Sequence, residues 1–360
     1  MIPRNLKNER IKRQYADFLR HADGKAEQTI RQIEKAIQRY EGFTGYADFA
    51  AFDQLKAKGF KAELASRELA KATILSTVTA LKRFFGWLAR QPGYKSKIGL
   101  TDIEFLGLSD KDIRAAKAPA DRAIPALEQV VRVVEIMPAE TAIEKRNRAL
   151  IAFLAITGIR DGAAITLKVK HFDVVRRLVL QNPAEVDTKF GKRIDTFLFP
   201  LDDRLEQIAI GWIDNLRTAE LFAETDPLFP KTLLTMDENN CFKPQGLSRE
   251  HWANASPVRA IFRDAFTCAG LPVHTPHSFR HMIVSEAYRR NLPPRELIAW
   301  SQNLGHEGLL TTITSYGKIP LQEQGRLIRG ARRQGSEAGL LAKIRDLVSQ
   351  SGNEVFDPLP

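Results

Sequence analysis

Residues 274–281 read HTPHSFRH, which predicts the start of a helix with basic side chains in its first turns. Thr275 is a typical N-cap residue, and Pro276 suits the first helical position. His277 and Arg280 stand three residues apart, so they share one helix face, and a helix start favours a bound anion. The stretch therefore indicates a phosphate held by Arg280, with His277 available for proton transfer. A metal site on its three histidines is disfavoured, because Pro276 breaks their helical spacing and no acidic residue adjoins them.

Downstream of this stretch, residues 304–306 read LGH, which predicts a helix stop followed by the imidazole of His306. Ten residues later comes Tyr316, within the run TTITSYG at 311–317. Gly317 beside it permits a close approach of the backbone. A lone tyrosine is usually a core or surface residue, so Tyr316 gains meaning only together with the other residues.

Upstream, residues 149–160 read ALIAFLAITGIR, which predicts a buried helix ending at Thr157 and Gly158. Glycine supplies the backbone conformation that stops a helix. Arg160 follows where the chain turns. Taken alone, Arg160 fits a cation near a helix C-terminus and an anion ligand equally well.

Between these stretches the pattern changes from helix to strand. Residues 171–180 (HFDVVRRLVL) and 194–201 (IDTFLFPL) are rich in β-branched and aromatic residues, which predicts a small antiparallel sheet. Lys189 and Lys192 fall at the turn before the second run. Helices are predicted again after Asp202, at 257–269, 276–290 and 294–301.

In the first hundred residues, apolar residues recur at helical spacing, which predicts helices. The strongest of these helices carries Ile74, Val78 and Leu81 on one face, and residues 69–101 contain six basic residues and no acidic one. Solvated helix faces usually mix charges of both signs, so an acid-free basic helix favours phosphate contact. The predicted DNA contacts are Lys71, Thr73, Thr77, Lys82 and Arg83.

Composition narrows the class of protein. The chain has 360 residues and a formal net charge of +11, a balance that favours nucleic acid as a partner over an acidic small molecule. Its two cysteines exclude a disulfide framework and four-cysteine metal sites, and they fit a reducing cytoplasm. The polar, basic start is unlike a secretory signal, and the longest apolar run is too short for a membrane span.

The chain resembles the tyrosine recombinase (phage integrase) family in the order of its candidate residues. These are an Arg, a Lys on a hairpin, His-x-x-Arg, Gly-His and a Tyr. The resemblance implies an α+β fold, mainly α with a small antiparallel β-sheet in the catalytic domain, forming a two-domain DNA clamp. A helical core-binding domain would cover residues 1–110, a linker 111–123 and the catalytic domain 124–330. The tail, 331–360, is predicted to contain an amphipathic helix with Leu340, Leu341 and Ile344 on one side.

The resemblance also implies a catalytic set, which comprises Arg160, Lys189, His277, Arg280, His306 and Tyr316. Arg160 and Arg280 would grip the scissile phosphate, because guanidinium groups are forked and stay charged at any working pH. Tyr316 matches the nucleophile. No metal and no cofactor is implied, because arginines take the place of metal ions and a phosphotyrosine bond conserves the energy of the broken strand.

The remaining members of the set handle protons. His277 is the natural base for the tyrosine proton, and His306 would orient the phosphate. Lys189 resembles the hairpin lysine that protonates the leaving 5′-oxygen, with Lys192 as its competitor. The sequence departs from the family at position 163, where the family usually has an acidic residue and this chain has Ala163. Asp161 is expected to substitute for that acidic residue. The spacing from His306 to Tyr316 is also one residue longer than the commonest value.

The implied activity is site-specific recombination of double-stranded DNA in the cytoplasm, without ATP. The implied assembly is a tetramer on two synapsed sites, in which the segment 340–348 docks on a neighbouring subunit. Accessory DNA-bending or directionality proteins would be further partners. The alternatives are a type IB topoisomerase, which shares this constellation but relaxes DNA as a monomer, and a non-catalytic DNA-binding relative.

Overall fold

Apolar residues at helical spacing form a unit of six helices at the start of the chain. The computed structural model describes residues 5–118, 123–238, 240–305 and 324–325. The chain divides into two units between residues 120 and 121. The helices of the first are α1 (Leu6–His21), α2 (Glu27–Phe43), α3 (Gln54–Ser66), α4 (Lys71–Leu88), α5 (Leu100–Glu104) and α6 (Asp110–Lys117).

Aromatic side chains from three segments pack around α4 in the core of this first unit. Phe85 stacks on Phe52 with ring centroids 3.9 Å apart, and Tyr40 meets Phe85 edge to face at 5.2 Å. The carboxylate of Glu41 is buried beside them, where it accepts hydrogen bonds from Asn8 (3.1 Å) and Lys12 (2.7 Å). Burial of this charge is tolerated because both of its oxygens are paired.

The segment predicted as a linker is partly helical. Ser109 caps α6 by accepting a hydrogen bond from the Asp112 N–H (3.2 Å), and Lys71 of α4 forms an ion pair with the Asp112 carboxylate (3.3 Å). The cap and the ion pair hold α6 to the first unit. The first part of the predicted linker, residues 111–117, therefore belongs to a helix that packs on the first unit.

The second unit surrounds the buried helix α8. Its helices are α7 (Leu127–Ile136), α8 (Ala142–Thr157), α9 (Asp161–Ala164), α10 (Asp203–Thr218), α11 (Ser256–Cys268), α12 (Pro276–Arg289) and α13 (Pro294–Asn303). Every residue of α8 from Ala149 to Thr157 is buried, because α7, α10 and α12 pack around it. No helix in the described part of the chain is both long enough and apolar enough to cross a membrane.

Two antiparallel sheets complete this unit. Strands β1 (Phe172–Asp173), β2 (Leu178–Gln181) and β3 (Ile194–Phe197) form the first in that order, with Val179 opposite Thr196. The predicted mainly helical fold with a small antiparallel sheet is thus confirmed. The second sheet, a ribbon of β4 (Thr232–Met236) and β5 (Phe242–Leu247), was not predicted.

Candidate active site

Helix α8 ends where the sequence predicts, at Gly158. This residue has φ +60°, the left-handed conformation that costs glycine little, and its N–H donates to the Leu154 carbonyl. A Cβ at this position would lie 2.7 Å from a Leu304 methyl carbon and 2.8 Å from one of Ile283. Glycine therefore lets α12 and the end of α13 approach the turn that precedes Arg160.

Arg280 of α12 fills the space beside this turn. Its side chain is buried, with 3% of the residue's surface exposed. One terminal nitrogen donates to the Gly158 carbonyl at 2.5 Å, and the other donates to the Leu304 carbonyl at 2.6 Å. A guanidinium is a forked group with five N–H donors, a geometry that also suits a phosphate.

Arg160 lies close to Arg280 because the chain between Gly158 and Arg160 is short. Two residues span at most about 7 Å, so the Arg160 backbone lies within that distance of the Gly158 backbone, whose carbonyl Arg280 binds. Arg160 is half-buried and is the N-cap residue of the short helix α9. The structure thus brings together the two arginines that the sequence singled out, although 119 residues separate them along the chain.

The residues that precede His306 are fixed against β3, and His306 and Tyr316 themselves lie outside the described residues. Asn303 exchanges two hydrogen bonds with the backbone of Phe197 on β3, at 2.7 and 2.9 Å. Gly305 has φ +70°, and a Cβ there would lie 2.9 Å from an Ile194 methyl carbon. The residue before His306 therefore packs against the strand that follows the predicted lysine turn.

The two candidate lysines share one turn between β2 and β3. Residues Lys189–Gly191 form a single 3-10 turn, and Lys192 follows it at once. Both lysine side chains are exposed. The geometry places both beside β3, so the preference for Lys189 over Lys192 still rests on the sequence.

The three histidines of the stretch 274–281 have different surroundings. His277 is exposed in the first turn of α12, with its ring edge to face with that of His281 at 5.2 Å. His274 lies in the core against Phe266, where burial lowers the pKa of its imidazole. Among the described residues, no group of three His, Cys, Asp or Glu side chains is placed to hold a metal ion.

The position of the missing acidic residue is filled by Ala163, which is buried in α9. The expected substitute, Asp161, uses its carboxylate elsewhere. One oxygen accepts two hydrogen bonds from Arg259 of α11, at 3.1 and 3.0 Å, and the other accepts from the Gly162 N–H. Asp161 therefore ties α9 to α11.

Comparison with known proteins identifies the family. The model described as "Phage integrase family" matches residues 126–320, more than half of the chain. The chain belongs to this family.

Named relatives of this integrase-family chain are recombinases. The tyrosine recombinase XerC of Lactobacillus delbrueckii subsp. bulgaricus is 22% identical over 310 residues, covering 84% of this chain and 92% of the relative. The tyrosine recombinase XerD of Neisseria meningitidis serogroup B is 25% identical over 246 residues, covering 65% and 68%.

Solved structures of integrases share its fold. A lambda integrase dimer bound to a COC′ core site has a TM-score of 0.59 at 14% identity, covering 87% of this chain and 97% of that one. The Tn1549 transposon integrase in complex with circular intermediate DNA has a TM-score of 0.57 at 15% identity, covering 89% and 99%.

In the first unit of this integrase-family chain, the predicted DNA contacts on α4 have acidic neighbours. Lys82 pairs with Glu104 at 2.7 Å, and Arg83 pairs with Asp23, as Lys71 does with Asp112. Acids from two other helices and from the connection between α1 and α2 thus balance a stretch that contains none of its own. Thr73 is half-buried.

Thr77 lies beneath the surface that α4 presents. It is 2% exposed, donates to the Thr73 carbonyl and accepts from Arg39. A buried hydroxyl cannot reach a phosphate in this arrangement, so the proposal below leaves Thr77 out.

Sequence reasoning missed two residues that shape the site, Asn303 and Arg259. Asn303 joins α13 to β3 through a side-chain amide, and Arg259 joins α11 to α9. The only signal for Asn303 was its place three residues before His306. Arg259 carried no signal, because its partner is 98 residues away in the chain.

Proposed function

We propose that this chain cleaves and rejoins double-stranded DNA at specific sites through a covalent 3′-phosphotyrosine intermediate. The observation that supports this most is the buried Arg280, which joins the Gly158 turn before Arg160 to the Leu304 carbonyl before His306. The buried Arg280 guanidinium therefore holds three segments of the chain together. The side chains of these segments are of types that bind a phosphodiester.

Arg160 and Arg280 supply the positive charge for the reaction. A phosphodiester is anionic, and attack by oxygen places further charge on its non-bridging oxygens. Preorganised donors aimed at developing charge commonly contribute several kcal/mol of transition-state stabilisation. Because Arg280 is held rigidly by two carbonyls, little reorganisation is needed when the phosphate arrives.

The proton transfers complete the chemistry. The Tyr316 oxygen attacks phosphorus, which forms a new P–O bond and breaks the bond to the 5′-oxygen. His277 takes the tyrosine proton, and the departing 5′-oxygen takes a proton from Lys189, leaving a free hydroxyl. His306 hydrogen-bonds the phosphate. The reverse sequence with a different 5′-hydroxyl rejoins strands, so no nucleotide cofactor is consumed.

The partners follow from this chemistry. Double-stranded DNA is the substrate, and exchange between two sites requires a multimer, for which we propose a tetramer. Lys71, Thr73, Lys82 and Arg83 on α4 would contact the backbone, with the acidic neighbours of the three cations released to solvent. The segment 340–348 would dock on a neighbouring subunit, and the protein would act in the cytoplasm.

A covalent-capture experiment tests the proposal on duplexes of many sequences at once. The full chain is mixed with a library of nicked duplexes of random sequence, denatured in detergent, and analysed for DNA that migrates with protein. Protease-sensitive adducts are expected from the wild type and none from Tyr316→Phe. Tyr288→Phe, a half-buried tyrosine of α12, is the matched control and should retain adduct formation.

Three outcomes would contradict the proposal in different ways. An adduct that persists in Tyr316→Phe removes that residue as the nucleophile. DNA binding without any adduct from the wild type identifies a non-catalytic relative. Captured sites that support relaxation of supercoiled plasmid by a monomer, and never a recombinant product, identify a topoisomerase.

A further inference from the structure

The segment that follows α9 forms a fixed platform close to Arg160. Its backbone hydrogen-bonds to the turn at 224–228, from the Val169 N–H to the Asp226 carbonyl (3.0 Å) and from the Lys170 N–H to the Glu224 carbonyl (2.9 Å). Leu167 and Val169 are fully buried. We refer to residues 166–171 as the platform.

A single carboxylate connects the platform to the chain that leads into the lysine turn. One oxygen of Glu185 accepts from Lys168 at 3.1 Å and from Lys170 at 2.8 Å. The other lies 3.2 Å from Nε2 of His171. Since Nδ1 of His171 accepts the Lys168 N–H at 3.0 Å, the neutral ring carries its proton on Nε2 and donates it to Glu185.

The negative charge of Glu185 is stabilised by the basic groups around it. Lys170, His171 and Lys168 together lower the pKa of its carboxyl to about 2, so it is ionised throughout the working pH range. Burial meanwhile lowers the pKa of His171, which favours the neutral ring. Without the carboxylate, Lys168 and Lys170 of the platform would lose their counter-charge, and with it the attraction that holds the loop to the platform.

A further contact and a buried side chain show that the end of the loop before the lysine turn is docked. The Asp187 N–H donates to the Thr166 hydroxyl at 2.9 Å, and Val186 is buried with 2% exposure. Lys189 follows only four residues after Glu185. The platform begins six residues after Arg160, so these contacts set the distance between the lysine turn and the arginine.

We propose that Glu185 is a positioning residue that holds Lys189 in place to protonate the leaving 5′-oxygen. This inference rests on the proposed function. Glu185 itself touches neither DNA nor the reacting atoms, and it acts by fixing the loop from which Lys189 projects. The proton moves from the Lys189 ammonium to the 5′-oxygen as the P–O bond breaks, which leaves a neutral amine and a hydroxyl.

A sulfur substitution separates this role from a general loss of structure. When sulfur replaces the bridging 5′-oxygen of the scissile phosphate, the leaving group is a thiolate, whose conjugate acid has a pKa of about 8.5. An alkoxide needs a proton donor, but a thiolate does not. Loss or displacement of the donor is therefore harmful with the oxygen substrate and harmless with the sulfur substrate.

The experiment measures single-turnover cleavage of the captured duplex in both forms. With oxygen, Lys189→Ala is expected to cleave about 10²–10⁴-fold more slowly and Glu185→Gln about 10–10²-fold more slowly. With sulfur, both variants should approach the wild-type rate, and DNA affinity should not fall. Glu250→Gln, which removes a carboxylate from the exposed Lys231 pair, is the matched control and should cleave normally.

A charge-conserving variant distinguishes loss of the counter-charge from misfolding. Glu185→Asp keeps the counter-charge and should recover much of the oxygen-substrate rate, and thermal unfolding of each variant is recorded in parallel. A Glu185→Gln defect of equal size on both substrates would overturn the inference, as would a Lys189→Ala defect that sulfur does not relieve. Failure of the proposed function is distinct, because the wild type would then form no adduct at all.

Discussion

Arg280 donates a 2.5 Å hydrogen bond to the main-chain oxygen of Gly158, and this contact sets the spacing of the arginine pair. The same guanidinium binds the Leu304 carbonyl, so one side chain serves two main-chain partners. An ammonium group has no fork with which to reproduce both bonds. Arg280→Lys is therefore expected to lower the cleavage rate by about 10²–10³-fold and to cost about 1–3 kcal/mol of stability.

A matched variant on the same helix separates the two effects. Arg290, at the end of α12, also donates to two main-chain carbonyls, those of Pro200 (2.6 Å) and Leu201 (3.3 Å), but it is exposed. Arg290→Lys should leave cleavage within about twofold of the wild type, and urea unfolding should show a small loss. Equal cleavage defects in both variants would mean that Arg280 acts only through packing.

Gly158 is expected to be intolerant of any side chain. Gly158→Ala places a methyl group at φ +60° and within 2.8 Å of carbons of Leu304 and Ile283. Strain and overpacking together should cost about 2–4 kcal/mol, measured by urea unfolding. Gly270→Ala, with φ +66° but no heavy atom within 4 Å of the added carbon, adds the strain alone and should cost about 1 kcal/mol.

The difference between the two losses of stability tests how closely α12 and the end of α13 approach Gly158. A Gly158→Ala loss no larger than that of Gly270→Ala would show that α12 and the end of α13 do not approach the turn as closely as described. The Gly158→Ala variant should cleave DNA more slowly than the wild type even at urea concentrations below its unfolding midpoint, because the displaced turn carries Arg160 with it.

Local patterns were sufficient to predict much of this molecule. The apolar run ending at Gly158, the start of α12 at Pro276 and the β-branched runs of β2 and β3 are each encoded within about ten residues. The Arg280 and Arg160 pair became visible only because their order along the chain resembles a family. Nothing in the local sequence indicates that Arg280 binds the turn before Arg160.

The errors have a common physical cause, which is interaction between distant segments. The acid-free stretch of α4 predicts an unbalanced cationic face, but Glu104 and Asp112 come to it from other helices and Asp23 from the connection between α1 and α2. Helix α6 was missed because it has few apolar residues, although its Ser109 cap was present in the sequence. The β4–β5 ribbon was missed because Pro244 and Gly246 make β5 resemble a loop.

Lys82 provides a test of the DNA-binding face. If it contacts a phosphate, it must leave Glu104, with which it is paired at 2.7 Å. Lys82→Ala should weaken DNA binding and reduce the salt dependence of the association constant by about one counterion. Glu104→Gln should leave binding unchanged or strengthen it, since the competing carboxylate charge is gone.

Filter binding across a series of salt concentrations measures both quantities. Lys35→Ala, on the exposed side of α2, makes the same change in net charge and serves as the control. Equal losses of affinity and slope for Lys35→Ala and Lys82→Ala would show that net charge, rather than the α4 face, determines binding.

Acid is expected to destabilise the second unit through His274. Burial against Phe266 lowers the pKa of this imidazole in the folded state, only partly offset by a hydrogen bond to the Ala123 backbone. The unfolded chain has the ordinary pKa of about 6.5, so it binds the proton more readily than the folded chain does. The stabilising contribution is therefore complete above about pH 6.5 and is lost as the pH falls from there toward the folded pKa.

His274→Gln removes the titrating group and should flatten this dependence between about pH 7 and about 5.5. The measurement is hydrogen exchange of peptides from α11 and α12 along a urea series at both pH values. Val258→Ala, a buried truncation in α11, should lower stability by about 1–3 kcal/mol at both pH values and leave the pH dependence intact. Since His171 is also buried with a lowered pKa, His274→Gln should leave a residual slope. An unchanged slope in His274→Gln would exclude His274 as a source of the acid sensitivity.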